Sequence, residues 1–397
     1  SDSGIVIEFN IYENLTLGYL TGDIILQDDQ DIYTQADING TERIILEFVV
    51  PDQTTNSIIK TFVVKEITDS VKSNDYSSIL SLSLVEDKLG RELIIESKKE
   101  SAQASFRYIV PYQDPLTAIK TVLSKMSTDN GYPFFFYSSI VDDNFYLTDL
   151  ETIINTQSFN HMKPFVYDQE NVNKNDIESQ ATNITHFESG LAENTLDLAL
   201  AGGMGSQYES INATTGKNFI YHQDMNRHFS KLIEAELLPK DQNFIAFDSK
   251  FISDPKKIDQ SKITDFNSRI HTRVVTNPYD DANGFDQERS DGRETLKLTK
   301  RSVIAHLLKN KYNINVPGIL FSMNNIETCV GHQISMIIYK NDISHVVGGR
   351  IDEKRSGRFV ILAKRHCLDV AGGRHNVSLD LCKLAGRSIS NEWILWR

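Results

Sequence analysis

The stretch from Gly357 to Arg387 constrains the fold of this chain more than any other, because it reads as one long β-hairpin. Arg358-Phe-Val-Ile-Leu-Ala-Lys-Arg-His-Cys-Leu-Asp-Val370 leads through Ala371-Gly372-Gly373-Arg374 and returns as His375-Asn-Val-Ser-Leu-Asp-Leu-Cys-Lys-Leu384. Two glycines between β-prone runs signal a tight turn. On the return, Val377, Leu379 and Leu381 alternate with Ser378, Asp380 and Cys382, which predicts one buried and one wet face. With the turn at Gly372-Gly373, Cys367 is expected roughly opposite Ser378 rather than Cys382. Upstream the order is a helical face (Leu296, Val303, Ile304, Leu307, Leu308), then Val316-Pro317-Gly318, a strand, Gly331-His332, and another strand with Ile334, Met336 and Ile338.

A chain of 397 residues is long enough for two or three domains. Its 40% apolar and 24% charged residues, without low-complexity tracts, exclude wholesale disorder. No apolar run approaches the ~20 residues of a membrane helix. No signal peptide is read at Ser1-Asp2-Ser3-Gly4, and the missing initiator Met is taken as processing or a trimmed numbering. The formal charge of −13 argues against stable nucleic-acid binding, which needs clustered Lys and Arg. Cys329, Cys367 and Cys382 are too few for a disulfide framework or structural zinc site, and read as reduced thiols made in a reducing cytoplasm.

The first hundred residues read as antiparallel β. Ile5, Ile7 and Phe9 alternate; Ile24 and Leu26 precede the acidic loop Asp28-Asp29-Gln30-Asp31; Asn39-Gly40 is read as a hairpin turn into Arg43–Val50. Ile58–Ile67 is a further strand, and Ser78–Leu84 is the cleanest alternation in the chain. Such spacing suggests a small barrel or sandwich; the long helix such barrels often carry is not obvious, although Val85–Arg91 could form a short one. From Phe106 the pattern changes. Asp114-Pro115 starts a helix whose face is Leu116, Ile119, Val122, Leu123 and Met126, and Asn130-Gly131 stops it. The aromatic runs Tyr132–Tyr137 and Phe145–Leu147 follow as a strand pair, giving a small α/β module. Asp168–Ile184 reads as a linker, Asn194–Leu200 and Asn218–Tyr221 as strands around Gly202–Ser206, and Asp224–Glu288 as an irregular insertion.

Motifs for chemistry are weak. Gly202–Gly205 lacks the Gly-Lys-Ser/Thr of a phosphate loop, so a sharp turn is expected. Asp28, Asp29 and Asp31 lack the spacing of a calcium loop and read as solvated. His222, His228, and His366 beside Cys367, are the residues a metal site would use, yet none completes a ligand set. No nucleophile elbow occurs. Two glycosidase carboxylates cannot be picked from 54 acidic residues by spacing, so that class stays open. The Tyr132–Tyr137 run reads as core rather than a stacking platform. No catalytic, cofactor-binding or metal-binding residue is assigned, and no cofactor.

In order rather than at any single motif, the chain resembles the baseplate central hub proteins of contractile-tailed bacteriophages, related to the hub part of type VI secretion spike proteins. The resemblance rests on Thr21-Gly22-Asp23-Ile24, Gly40-Thr41-Glu42, Asp114–Ile119, Pro133–Ser138, Phe145–Leu147, Val316–Gly318, Gly331–Ile334, and Ser356–Phe359 through His366. It implies an α+β, mainly antiparallel β fold. Two tail-tube-like β-barrel domains would occupy 1–105 and the discontinuous 171–222 plus 288–388, with the α/β module at 106–170 and the insertion at 223–287. The two barrels are expected to superimpose and to remain separate sheets. By resemblance the protein would be a non-enzymatic virion component, assembled in the host bacterial cytoplasm. It would be a homotrimer that joins a hexameric tail tube or tube-initiator proteins to a separate trimeric spike protein, contacts baseplate wedge proteins, and leaves a channel for DNA. Neither membrane nor stable nucleic-acid contact is implied, and Lys297, Lys300, Arg301, Lys309 and Lys311 are expected to face protein neighbours or solvent. The hub of a bacterial contractile injection system and a tail-associated cell-wall hydrolase are the alternatives.

Overall fold

The computed structural model describes residues 6–29, 35, 38–40, 42–49, 57–72, 78–87, 93–96, 110, 112–128, 131–160, 162–167, 176–190, 205–212, 218–224, 269–275, 300, 303–304, 311–321, 325–340, 351–352, 355–370 and 372–383. Structural statements below concern these residues. The fold is α+β and mainly antiparallel, as the strand-rich sequence requires.

The N-terminal strands are β1 (Val6–Asn14), β2 (Thr21–Asp28), β3 (Arg43–Val49), β4 (Ser57–Lys72), β5 (Ser78–Glu86) and β6 (Leu93–Glu96). The expected alternation of β5 is present: Leu80, Leu82 and Leu84 are buried, their neighbours less so. Asn39-Gly40, however, does not close a hairpin between β2 and β3. Gly40 has φ 95°, and the Glu42 carboxylate accepts the Asn39 and Gly40 N–H groups, making a local turn. β5 takes the place beside β2 over eight residue pairs, and β3 pairs with β4. Val85 and Glu86 continue β5 instead of starting a helix, because the period-2 pattern runs through them.

The middle module contains α1 (Pro115–Lys125), β7 (Phe134–Ser138), β8 (Phe145–Asp149) and α2 (Leu150–Asn155). α1 begins as the sequence predicts: the Asp114 carboxylate accepts the Thr117 N–H, and Pro115 stands in the first turn. It ends at Lys125, before Asn130-Gly131. The aromatic run is core: Tyr132, Phe134 and Tyr137 are buried, and Tyr137 stacks on Tyr146 at 5.4 Å. β6 leaves the N-terminal strands to pair in parallel with β8, so the module begins before residue 106.

Then come β9 (Phe165–Tyr167), α3 (Ile177–Ala181), β10 (His186–Gly190), β11 (Gly205–Asn212), β12 (Asn218–Asp224), β13 (Arg269–Val275), β14 (Lys311–Pro317), β15 (Gln333–Ile338), β16 (Gly357–Asp369) and β17 (Arg374–Lys383). The expected linker is partly folded: α3 lies within it, and Ile184, whose N–H donates to the Val166 carbonyl, is fully buried. The strand expected at Asn194–Leu200 lies outside the described residues, as does most of the helix expected at 294–308, of which Lys300, Val303 and Ile304 are helical. β13 belongs to the stretch read as an irregular insertion. It pairs in parallel with β11 and completes the sheet β12-β11-β13, so β11 and β12 do not join the C-terminal sheet. Among the described residues no strand lies between Gly318 and Gly331; β14 ends at Pro317, and short 3-10 turns at Gly318–Leu320 and Ile326–Thr328 lead to β15.

The β16–β17 hairpin is present, with Val377, Leu379 and Leu381 fully buried. The Asp369 carboxylate accepts the Gly372 N–H, and Gly373 takes φ 61°, which explains the glycine pair. Cys367 stands opposite Asn376, two residues from Ser378, and Val360 opposite Cys382.

Separate barrels are not what forms. β1 pairs with β2 on one edge and β16 on the other, so the N- and C-terminal strands share one sheet, β10-β14-β17-β16-β1-β2-β5-β4-β3. β16 is long enough to serve two neighbours along one edge: Gly357–Val360 pair with β15, Ala363–Asp369 with β1. A β-bulge between Ile361 and Ala363 marks the change of neighbour. Two cores result. One gathers Phe9, Ile11, Phe62, Leu80, Leu82 and Leu84; the other gathers the C-terminal strands with Tyr137, Tyr146, Phe165 and Phe321.

Candidate functional site

Two features stand apart from ordinary packing: a seam of buried charge between the cores, and an open sheet edge.

The seam follows from alternation carried one step further than the apolar residues go. In β1, Phe9 and Ile11 point into the N-terminal core, and Glu13 continues that row. Its register partner across the sheet is Lys364 on β16. Their side chains are 0% and 1% exposed, with Nζ 3.2 Å from Oε1. The Glu13 carboxylate also accepts the Ile140 N–H at 3.0 Å and the Val330 N–H at 3.4 Å. Lys364 Nζ donates to the Thr328 carbonyl, and the Cys329 thiol lies 3.0 Å from Ser139 Oγ. Burial works against the ammonium, but Cys329 and the Glu13 carboxylate offset it and hold Lys364 above its ordinary value. Burial pushes the Cys329 thiol up to about 12, so it is a neutral packing group at physiological pH.

A second lysine repeats the pattern. Lys60 precedes Phe62 and Val64 on the inward face of β4, and Glu86 follows Leu82 and Leu84 on β5. Lys60 Nζ sits 2.8 Å from Asp143 Oδ1 and 3.8 Å from Glu86 Oε1, and it donates to the Asp142 and Ser139 carbonyls. Sequence reading passed over these four charged residues; the signal that finds them is a charge at the next position of a period-2 apolar row.

His366 is buried, and its Nδ1 lies 3.0 Å from Nε2 of His375 with the rings stacked. Burial, with Lys364 nearby, lowers His375 to about 4 and His366 well below its ordinary value. His222 lies in β12 opposite Gln207; His228 lies outside the described residues. Among the described residues no group of three or more His, Cys, Asp or Glu is placed to hold a metal, and no helix is long and apolar enough to cross a membrane. Lys300, expected at a surface, is buried. Its Nζ donates to the Leu123 and Met126 carbonyls and closes the C-terminal end of α1, where a cation is favoured by the helix dipole. Lys311 is exposed at the start of β14; Lys297, Arg301 and Lys309 lie outside the described residues. Of the acidic loop, Asp28 is buried at the end of β2.

Among the described residues the large sheet ends at β10 on one side and at β3 on the other, and β3 is the edge with exposed apolar residues beside it. Its outward row is Arg43, Ile45 and Glu47, with Ile45 69% exposed; Ile59 on β4, opposite Glu47, is 55% exposed. On the next pair of strands, β4 and β5, Val71 and Ile79 stand directly opposite each other and are both exposed. An unpaired edge beside apolar residues is a template for pairing with another chain.

Comparison with known proteins gives a fold. No family model matches the sequence, and no curated protein matches it. A tail protein from Neisseria meningitidis is similar at TM-score 0.51 and 11% identity, covering 95% of this chain and 92% of that one. A 43 kDa tail protein of prophage MuSo2 from Shewanella oneidensis is similar at TM-score 0.43 and 10% identity, covering 95% and 93%. An E. coli type VI secretion component, described as structurally similar to T4 tail proteins, is similar at TM-score 0.40 and 8% identity, covering 97% and 76%. The chain shares the fold of the Neisseria tail protein over nearly the whole length of both.

Proposed function

We propose that this protein is a structural part of a contractile tail: the central hub of the baseplate, a homotrimeric ring that adapts a hexameric tube to a trimeric spike and leaves a channel for DNA. The observation that carries the reading is the near end-to-end match of fold to a tail protein, at 95% of this chain. The order of motifs in the sequence supports it independently. Each chain carries two hydrophobic cores along its shared sheet, so three chains place six cores around an axis, a count that can join threefold to sixfold symmetry. The β3 edge, with Ile45 and Ile59 beside it, is the surface by which neighbouring subunits close the ring. Closed symmetry uses up such edges. The work is binding: spike on one face, tube or tube-initiator proteins on the other, wedge proteins outside. The net charge of −13 per chain suits a channel wall that lets phosphates pass without gripping them.

Native mass spectrometry with electron microscopy of the purified chain tests this. Trimeric rings with a central opening are expected, and Ile45→Lys is expected to shift them to monomers while leaving circular dichroism unchanged. A species that stays monomeric at micromolar concentration with the spike protein present refutes the hub. Clearing of cell-wall substrate by the purified chain refutes the non-enzymatic reading.

A further inference from the structure

Asn-Gly pairs occur in the chain at Asn39, Asn130 and Asn283. The first stands in the turn before β3. Gly40 takes φ 95° there, a conformation that residues with side chains avoid, so the turn needs its glycine. Asn39 is exposed. The Glu42 carboxylate spans the pair: Oε1 accepts the Asn39 N–H at 2.8 Å, and Oε2 accepts the Gly40 N–H at 2.9 Å. Glu42 is itself fastened to the sheet, since its carbonyl accepts the Val64 N–H of β4 at 3.0 Å. Gly131 differs, because its N–H donates to a neutral acceptor, the Thr128 carbonyl, at 2.9 Å. Asn130 and Asn283 lie outside the described residues.

An exposed asparagine followed by glycine is open to cyclisation, because no side chain shields the glycine nitrogen. In that reaction the Gly40 nitrogen loses its proton and attacks Cγ of Asn39. The N–Cγ bond closes a cyclic imide, the Cγ–Nδ2 bond breaks, and Nδ2 leaves as ammonia with the proton that Gly40 gave up. Solvent water then opens the imide at either carbonyl, giving aspartate or isoaspartate. Asparagine and water become an acid and ammonia, with no oxidant. The nitrogen that must attack is the one that Glu42 holds. A carboxylate is too weak a base to strip a peptide N–H, so the contact keeps the proton in place. It also sets a negative charge against the position where the amide anion would form, which opposes the step. We propose that Asn39-Gly40 is a deamidation site whose rate is governed by Glu42, the carboxylate protecting a turn whose glycine the fold cannot give up. Where the protection fails, isoaspartate adds a main-chain carbon between the two clamped N–H groups and places a second carboxylate near Glu42. The clamp at the entry to β3 is then lost.

The test is incubation of the full-length folded protein at mildly alkaline pH, with peptide mapping that separates the asparagine, aspartate and isoaspartate forms at each Asn-Gly pair. The same chain unfolded in urea gives the unprotected rate. In the parent, Asn39 is expected to deamidate at least about tenfold more slowly folded than unfolded, the worth of a hydrogen bond to a charged acceptor. Glu42→Ala should recover most of that factor. Glu42→Gln, which keeps one acceptor oxygen and loses the charge, should fall between. Both variants should keep the circular dichroism of the parent and leave Asn130 and Asn283 at their parent rates. Folded Asn39 reacting as fast as the unfolded chain overturns the proposal. So do variants that stay at the parent rate at Asn39, which would assign the protection to backbone rigidity alone. Variants that accelerate every Asn-Gly pair together overturn it as well, because they mark a general loosening of the fold.

Discussion

Replacing Glu13 with Leu tests the seam most directly. The substitution removes the carboxylate 3.2 Å from the Lys364 ammonium, in a pair whose side chains are 0% and 1% exposed. It also strips the acceptor from the Ile140 and Val330 N–H groups. Breaking a buried pair from one side costs about 3–5 kcal/mol, because the partner charge stays uncompensated. Each orphaned buried N–H adds about 1–3 kcal/mol, partly offset if Lys364 sheds its proton. A net loss of about 4–6 kcal/mol is expected. Lys364→Met leaves Glu13 with both backbone donors, so its cost is smaller, about 2–3 kcal/mol. The double variant should lose well under the sum of the two single losses, with a coupling of at least about 2 kcal/mol. Urea unfolding followed by circular dichroism at constant m-value gives all three numbers. Single losses under about 1 kcal/mol, or strict additivity, would refute a seam held by this pair.

Acid should weaken the C-terminal core through the histidine pair. His375 stands at about 4 when folded against an ordinary 6.5, so the unfolded chain takes up a proton that the folded chain refuses. Its contribution to stability is full above pH 6.5 and is lost as pH falls toward 4. The difference is worth about 3 kcal/mol, and His366 adds in the same direction. Thermal melts between pH 7 and pH 4 should show this fall, and His375→Phe should flatten it; an unchanged slope in the variant would remove the histidine from the account. Lys300→Met should loosen α1 by about 1–3 kcal/mol, since it removes two charge-assisted hydrogen bonds from the helix end. Amide exchange confined to residues 115–126 should report it, and unchanged protection there would mean that Lys300 does not hold the helix.

What could be read from the sequence and what could not divide along the range of the interactions. Local chemistry was readable: the Asp114-Pro115 helix start, the glycine turn of the β16–β17 hairpin and the alternation of β5 each depend on residues a few positions apart. Strand neighbours were not. The Asn39-Gly40 turn pattern is sound locally, yet β2 finds β5 some fifty residues on, because Ser78–Glu86 presents the better alternating face. Nothing local reveals that β16 reaches past its bulge to β1 at the other end of the chain. The buried charges were hidden by the habit of assigning Lys and Glu to solvent. Read residue by residue, Phe9-Asn-Ile-Tyr-Glu13 shows no row, but Phe9, Ile11 and Glu13 at period 2 do, as do Lys60, Phe62 and Val64.

The buried charges have a common cause in the segment from Ser139 to Asp143. Ser139 and Ile140 are buried, yet the stretch that follows Ser138, the last residue of β7, lies between β7 and β8 and makes no ladder of its own. Buried backbone without a ladder must find partners elsewhere, or each orphaned group costs on the order of 1–3 kcal/mol. Lys60 supplies a donor to the Ser139 and Asp142 carbonyls, and Glu13 supplies an acceptor to the Ile140 N–H. One side chain comes from the row that lines the N-terminal core and the other from the strand that pairs with β16. Apolar residues at positions 13 and 60 would fill the space and leave the loop unsatisfied. The charges therefore belong to the loop rather than to the sheet, and the loop is the wedge that lets one continuous sheet carry two cores.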